Sequence, residues 1–251
     1  MRTMLTALLV IAACPAIAQN KQKASTTDVS PRTVLAFKVS DAAVQKLLPA
    51  GFQVNSPTAG PSKGVNINVA LIDYLMMQDM EGKPLPPYTT IALNVPSKNT
   101  AGEAVGVVVG GFVAKAEAPG PYSVYEVANT SVDRRSHKDA EGKSIIDETW
   151  DITGDDGNTL QVELQFTRGV LARGMAEAKL HSAVKPDFYR IYKFEQAADV
   201  VRSTATGIDR VSKFSFKASG PKLAPLFDGS QQLIAITSVP FYSRTIYLPA
   251  I

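Results

Sequence analysis

Glu148 and Trp150 stand two residues apart in a run where polar and apolar residues alternate, Asp147 to Ile152. A period of two places Glu148, Trp150 and Ile152 on one face of a strand, with Ile152 marking that face as the buried one. A carboxyl group enclosed beside an indole is suited to general acid or base work, so Glu148 is a candidate catalytic residue. The densest polar cluster, Asp133-Arg134-Arg135-Ser136-His137, follows the same period. Arg134 and Ser136 then share one face, and Asp133, Arg135 and His137 the other. Arg134 turned into a pocket would take a carboxylate ligand through its guanidinium fork. The plainer alternative is a charged edge strand, a device that prevents strands of different molecules from pairing. Tyr74, Met76, Met77 and Met80 follow an alternating strand and suit either an adaptable apolar pocket or ordinary core packing.

Other chemistries lack their residues. The two histidines, His137 and His181, have no metal-ligand spacing and are expected at the surface; no metal and no cofactor are expected. A serine hydrolase of the nucleophile-elbow kind needs G-x-S-x-G, which does not occur. Gly102, Gly106, Gly110 and Gly111 lie on or beside a strand rather than ahead of a helix, so they do not cradle phosphate. Net charge is +3, and the lysines and arginines are scattered among acids, which argues against a nucleic-acid partner. The expected partner is a small-molecule ligand or substrate.

Strand signals dominate the elements that must position these groups. Val65, Ile67, Val69 and Leu71 alternate with polar or small residues, and Ala104 to Ala116 is a β-branched run with Gly110-Gly111 marking a bulge. Hairpin turns are expected at Asp139-Ala140-Glu141-Gly142 and at Gly154-Asp155-Asp156-Gly157-Asn158. Leu233 to Leu248 offers two apolar stretches broken near Pro240. Ser40 caps a short helix over Asp41 to Leu48, ended by Pro49. Ser219 marks a second through Lys222 to Phe227, and Gln196 to Arg202 is a possible third. The fold class is mainly β (β-rich α+β) with one to three short helices. Periodicity alone leaves barrel and sandwich open.

The first eighteen residues read as a secretory signal: Arg2, an apolar run from Met4 to Ala13, and an Ala16-Ile17-Ala18 cleavage site before Gln19. The run is too short for a membrane span, which takes about 20 apolar residues. Cys14, the one cysteine, sits in this segment, in a context that also resembles a lipobox. Residues 19–30 read as a flexible leader and 31–251 as a single β-barrel domain. The expected location is the periplasm or the exterior.

Three stretches in order resemble the acetoacetate decarboxylase-like barrel superfamily. They are LAFKVSDAAVQKLLPAG (Leu35 to Gly51), PYTTIALNVP (Pro87 to Pro96) and the closing run Leu223 to Leu248. The resemblance implies a closed β-barrel holding a small organic compound. Decarboxylases of that family use a lysine that forms a Schiff base with a β-keto acid, activated by a second lysine. The comparable region here, Tyr122 to Lys143, has neither the Gly-Arg-Glu segment nor the Phe-Pro-Lys-Lys run. The family glutamate after proline-tyrosine is matched by Thr90, and the arginine of its opening strand by Lys38. The resemblance therefore implies a divergent member without the Schiff-base step. Such a member acts on an organic carbonyl or carboxylate compound by acid–base, lyase- or isomerase-type chemistry, with Glu148, Lys38 and Arg134 as candidate catalytic residues. A non-catalytic periplasmic carrier of a hydrophobic small molecule is the other reading.

Overall fold

The computed structural model describes residues 22–249. The expected signal segment and Cys14 lie outside them. Along the chain, β1 (Lys23–Val29) and β2 (Arg32–Lys38) lead into helix α1 (Asp41–Gln45) and the two-residue β3 (Gln53–Val54). β4 (Ile67–Tyr74), β5 (Met76–Asp79), β6 (Pro84–Leu85), β7 (Tyr88–Lys98) and β8 (Ala104–Val113) follow. Next come β9 (Glu126–Lys138), β10 (Ser144–Gly154) and β11 (Thr159–Thr167). β12 (Ala172–Ser182), β13 (Tyr189–Ser203), β14 (Ile208–Asp209), β15 (Val211–Ser219) and the long β16 (Gln232–Leu248) complete the order.

Seven strands close a barrel in the order β8-β12-β13-β16-β2-β4-β7, with β7 pairing back onto β8. The closure at β8–β12 is parallel and short, running from Leu180 opposite Gly106 to Ser182 opposite Val108. β9, β10, β11 and β15 form a second antiparallel sheet, joined to the barrel only where Phe112 and Val113 meet Glu126 and Val127. The alternation visible in the sequence sends Leu35, Phe37, Ile67, Val69 and Ile91 to the outside of the barrel wall. There they pack against Trp150, Ile152, Leu160, Val162 and Leu164 of the second sheet, forming the main core. The opposite face of the barrel strands encloses a lumen.

The local signals explain most elements. Ser40 accepts a hydrogen bond from the Ala43 N–H at 3.4 Å, and α1 buries Val44 against the core before turning out ahead of Pro49. Both expected hairpins form, with Gly142 and Gly157 in the left-handed region their turns require. The β8 bulge also forms, between Leu93 and Asn94 of the facing strand. At Gly111 φ is +136°, and a Cβ would lie 1.9 Å from the Ile91 carbonyl oxygen, so only glycine fits.

Four expectations are corrected. Lys23–Val29, read as part of a flexible leader, is β1, which pairs with β16 on one side and β5 on the other. Gln196 to Arg202, a possible helix, lies within β13, because β16 supplies a ladder of partners along it. The 219–227 stretch is a set of turns rather than a helix, tied by bonds such as Phe227 N–H to the Leu223 carbonyl. Pro240 does not break the C-terminal run: β16 continues through it, and the register against β13 shifts there as a bulge.

Candidate active site in the barrel lumen

Register assigns the lumen-facing residues. Tyr192 and Phe194 of β13 stand opposite Ile246 and Arg244 of β16, Asp28 of β1 stands opposite Arg244, and Tyr74 of β4 stands opposite Tyr88 of β7. The segment between β8 and β9 adds Tyr122 and Tyr125, which pack with Tyr192 and Val108. Together they build the lumen floor around Arg244. The Arg244 Nε donates to Asp28 Oδ2 at 2.5 Å and its Nη2 to the Tyr74 hydroxyl at 2.6 Å. Its guanidinium carbon lies 4.2 Å from the centre of the Tyr192 ring. The Tyr122 and Tyr192 hydroxyls share a short hydrogen bond. An unpaired charge this deep would cost several kcal/mol in desolvation; a carboxylate at contact and the flanking aromatic faces offset it.

Burial pushes the Tyr74, Tyr88, Tyr122, Tyr125 and Tyr242 hydroxyls above the usual phenol range. At neutral pH they stay protonated and can donate. The floor is therefore rich in donors.

Above the floor the lumen walls are made of small side chains. Ala70 and Val34, paired across β2 and β4, and Thr237 opposite Val34 remain partly accessible although they sit mid-strand, since they face open lumen rather than a packed layer. At the mouth, Asn68 and Asn94 stand opposite each other. With Gly106, Ala178 and Leu180 they line a cleft of about 550 Å³. Gly106 has no room for a side chain: a Cβ would sit 2.3 Å from Leu180 Cδ2 and 2.7 Å from Asn94 Oδ1.

Four buried side-chain polar atoms among the described residues lack a hydrogen-bond partner: Thr26 Oγ1, Asn94 Oδ1, Arg190 Nε and His181 Nε2. The first three belong to lumen-facing positions, since Thr26 is opposite Ile246, and Arg190 is opposite Leu180. Buried polar atoms are nearly always paired, so a concentration of exceptions in one chamber marks it as built to receive polar groups. No lysine contributes: among the described residues all are exposed except Lys38 and Lys179, which are half-buried and paired with Asp41 and Glu103.

The sequence candidates do not meet in one place. Glu148 and Arg134 come together outside the lumen, between the barrel wall and the second sheet. Glu148 is buried; its Oε2 accepts from Thr33 Oγ1 at 2.7 Å and Trp150 Nε1 at 3.3 Å, and its Oε1 from Arg134 Nε at 3.1 Å. Lys38, on the opposite face of β2 to Thr33, sits at the strand's far end, 2.5 Å from Asp41. Asp133 and Arg135 pair on the exposed face, as alternation requires, and β9 beyond Val127 has no strand on its outer edge among the described residues. His137 is exposed beside Asp147. His181, expected at the surface, is buried instead, with Phe52 and Tyr189 against its ring and Nδ1 bonded to the Pro186 carbonyl. Of the alternating tail after β4, Tyr74 and Met77 are buried while Met76 and Met80 face solvent, so no methionine pocket forms. Among the described residues, no three His, Cys, Asp or Glu side chains gather to hold a metal, and no helix is long and apolar enough to cross a membrane.

The floor residues Arg244, Tyr122 and Tyr192 are not among the sequence candidates. The available signal is the alternation Tyr242, Arg244, Ile246 in the last strand, which puts an arginine on an otherwise apolar face.

No protein-family model matches the sequence, and no curated protein matches it. Solved structures do. An acetoacetate decarboxylase-like enzyme from Sphingomonas wittichii RW1 superposes with a TM-score of 0.54 at 13% identity, over 96% of this chain and 99% of that one. The enduracididine biosynthesis enzyme MppR, complexed with the condensation product of pyruvate and imidazole 4-carboxaldehyde, superposes with a TM-score of 0.54 at 10% identity, over 97% and 95%. Identities this low carry the architecture and not the chemistry. The chain has the fold of the acetoacetate decarboxylase-like barrels.

Proposed function

We propose that this chain is an exported enzyme that takes a small organic carbonyl or carboxylate compound into the barrel lumen and transforms it by acid–base chemistry of the lyase or isomerase type. The observation that carries the reading is the lumen itself: partnerless buried polar atoms above a floor of protonated tyrosines and an arginine. Arg190 and Arg244 suit the substrate's carboxylate. The Tyr122–Tyr192 hydroxyl pair suits a carbonyl oxygen that gains negative charge as an adjacent C–H or C–C bond gives up its electrons. A donor so placed is worth about 10²–10³ in rate. Among the described residues, lysine amine chemistry has no buried lysine to use. Glu148 and Arg134 fix the second sheet to the barrel in this reading rather than touch substrate. Enduracididine biosynthesis enzyme MppR, holding a pyruvate-derived product on the same fold, supports the substrate class.

The test is turnover of a panel of keto acids and other carbonyl compounds followed by NMR, for wild type, Tyr192→Phe and Arg190→Met. Turnover that falls at least about a hundredfold in Tyr192→Phe, with folding intact, supports the assignment. Turnover unchanged in both variants removes it.

A carrier role is the second reading, favoured by a separate feature. An apolar cleft of about 580 Å³ lies outside the lumen between α1, the β8 bulge and the 221–226 turns, lined by Leu47, Val109, Val124, Leu223 and Leu226. Binding of hydrophobic compounds that are released unchanged, with no turnover of the carbonyl panel, would favour it.

A further inference from the structure

The N-terminal half of β12 stands clear of the barrel. Its neighbour β8 begins at Ala104, two residues before the Gly106 that faces Leu180, whereas β12 begins eight residues before Leu180. Over residues 172–178 the ladder to β13 is complete on one side. The other edge meets no strand there among the described residues. Residues 171–177 are all exposed, and Val170 and Met175 present 96% and 79% of their surface to solvent. β13 is itself held by β16, so the projecting strand is braced from behind.

A free edge is a template for another chain, and proteins that keep one unpaired blunt it with proline, a covering element or repelling charges. Residues 169–179, GVLARGMAEAK, carry no proline. One face is small throughout, with Ala172, Gly174, Ala176 and Ala178, and a Cβ added at Gly174 would meet nothing within 4 Å. The other face carries Arg173, Met175 and Glu177, an order that is its own complement when reversed. In an antiparallel pairing about a two-fold axis at Met175, Arg173 of each copy stands opposite the partner's Glu177, and Met175 meets the partner's Met175. Leu171 then lies along the aliphatic stem of the partner's Lys179. The neighbouring registers fail. Centring on Arg173 or Glu177 sets like charges opposite each other, and centring on Gly174 or Ala176 sets a charge against Met175. Within each copy Glu195 lies 2.5 Å from Arg173 and Lys193 lies 3.7 Å from Glu177, so the charges continue to alternate in sign away from the seam. We infer that this chain forms a two-fold symmetric dimer by pairing β12 with β12 of a second copy, in the register centred on Met175. The gap that β8 leaves opens onto the mouth cleft, whose lining includes Glu177 and Ala178. The partner's strand stands where the barrel wall is incomplete.

Sedimentation velocity of the folded protein over a concentration series tests this. The expected species is a dimer that dissociates on dilution. Arg173→Glu sets like charges opposite each other on both sides of the axis and should raise the dimer dissociation constant at least about tenfold. Arg173→Glu combined with Glu177→Arg restores opposite charges and should recover most of that loss. Both side chains are exposed, and the fluorescence of buried Trp150 confirms folding in each variant. Register is read separately. In a Cys14→Ser background Met175→Cys should cross-link to itself under mild oxidation, because directly opposite residues have Cα atoms about 4.5–5.5 Å apart, within reach of a disulfide. Glu141→Cys, at an exposed hairpin turn, should not cross-link. A protein that is monomeric at every concentration overturns the inference. So does a dimer that ignores Arg173→Glu, that the double swap fails to restore, or that Met175→Cys does not cross-link.

Discussion

Replacing Asp28 with asparagine tests whether β1 is an integral stave of the barrel. The Asp28 carboxylate is completely buried and lies 2.5 Å from the Nε of Arg244, whose side chain is itself 7% exposed. The asparagine amide would keep one oxygen for Arg244 but remove the charge, stranding a guanidinium in the lumen floor. Breaking a buried ion pair from one side costs about 3–5 kcal/mol. The tyrosine rings around Arg244 retain some attraction for the cation, so the expected loss lies at the lower end, about 3 kcal/mol. With a urea slope near the upper end of the ordinary range, about 3 kcal/mol per M for a chain this long, the unfolding midpoint falls by about 1 M. Trp150 is the only tryptophan and is fully buried between the sheets, so its fluorescence reports the transition. Adding Arg244→Met to Asp28→Asn removes the stranded charge and should recover at least about half the loss. A midpoint shift below about 0.3 M for Asp28→Asn would refute the reasoning, as it would mean that the pair carries less than about 1 kcal/mol.

Three further outcomes follow from the same geometry. In a spectrophotometric titration Tyr74, Tyr88, Tyr122, Tyr125 and Tyr242 should stay protonated beyond about pH 10, where a free phenol ionises; ionisation of these five near pH 10 in folded protein contradicts the buried floor. Hydrogen bonds from Glu126, then Asn158 and Lys222, hold the Asp156 carboxyl down to about 2 from 3.8. A depressed carboxyl contributes stability that is complete above its unfolded value and is lost as pH falls through the folded one. Wild type should therefore weaken between about pH 4 and pH 2, and Asp156→Asn should weaken less there; equal losses in urea melts would contradict it. Gly111→Ala should cost more than about 2 kcal/mol, since the new Cβ meets the Ile91 carbonyl and the backbone angle is one that alanine avoids; a melt within about 0.5 kcal/mol of wild type contradicts the bulge geometry.

The strands that pack against the second sheet are legible in the sequence because one of their faces is wholly apolar, as in Ile67, Val69 and Leu71 opposite Asn68 and Ala70. The two hairpins and the β8 bulge are legible because glycine marks backbone shapes that other residues avoid. β1 is not: its inward positions are Thr26 and Asp28, so polar residues occupy the face that is normally read as apolar, and KASTTDV looks like a linker. Gln196 to Arg202 looks helical on its own because its strand state comes from β16, a partner some 40 residues away in sequence. The site is the least legible part. Its tyrosines are spread over β4, β7, the β8–β9 connection, β13 and β16, and only barrel closure makes neighbours of them. The burial of Glu148 beside Trp150 follows from alternation, but sequence cannot say which side of the barrel wall that buried face addresses.

The position of β16 has a consequence for the order of folding. One half of this strand lies between β13 and β2, the other between β13 and β1, and it is the last strand among the described residues. Until it arrives, neither the first two strands nor β13 has its ladder complete, and Asp28 waits for an arginine 216 residues downstream. Closing loops of that span is slow, and the rate falls as contacts become less local. Barrel closure is thus deferred until β16 is available. A chain delivered N-terminus first through a narrow pore would remain unlocked until β16 emerged, and would then close in one late step.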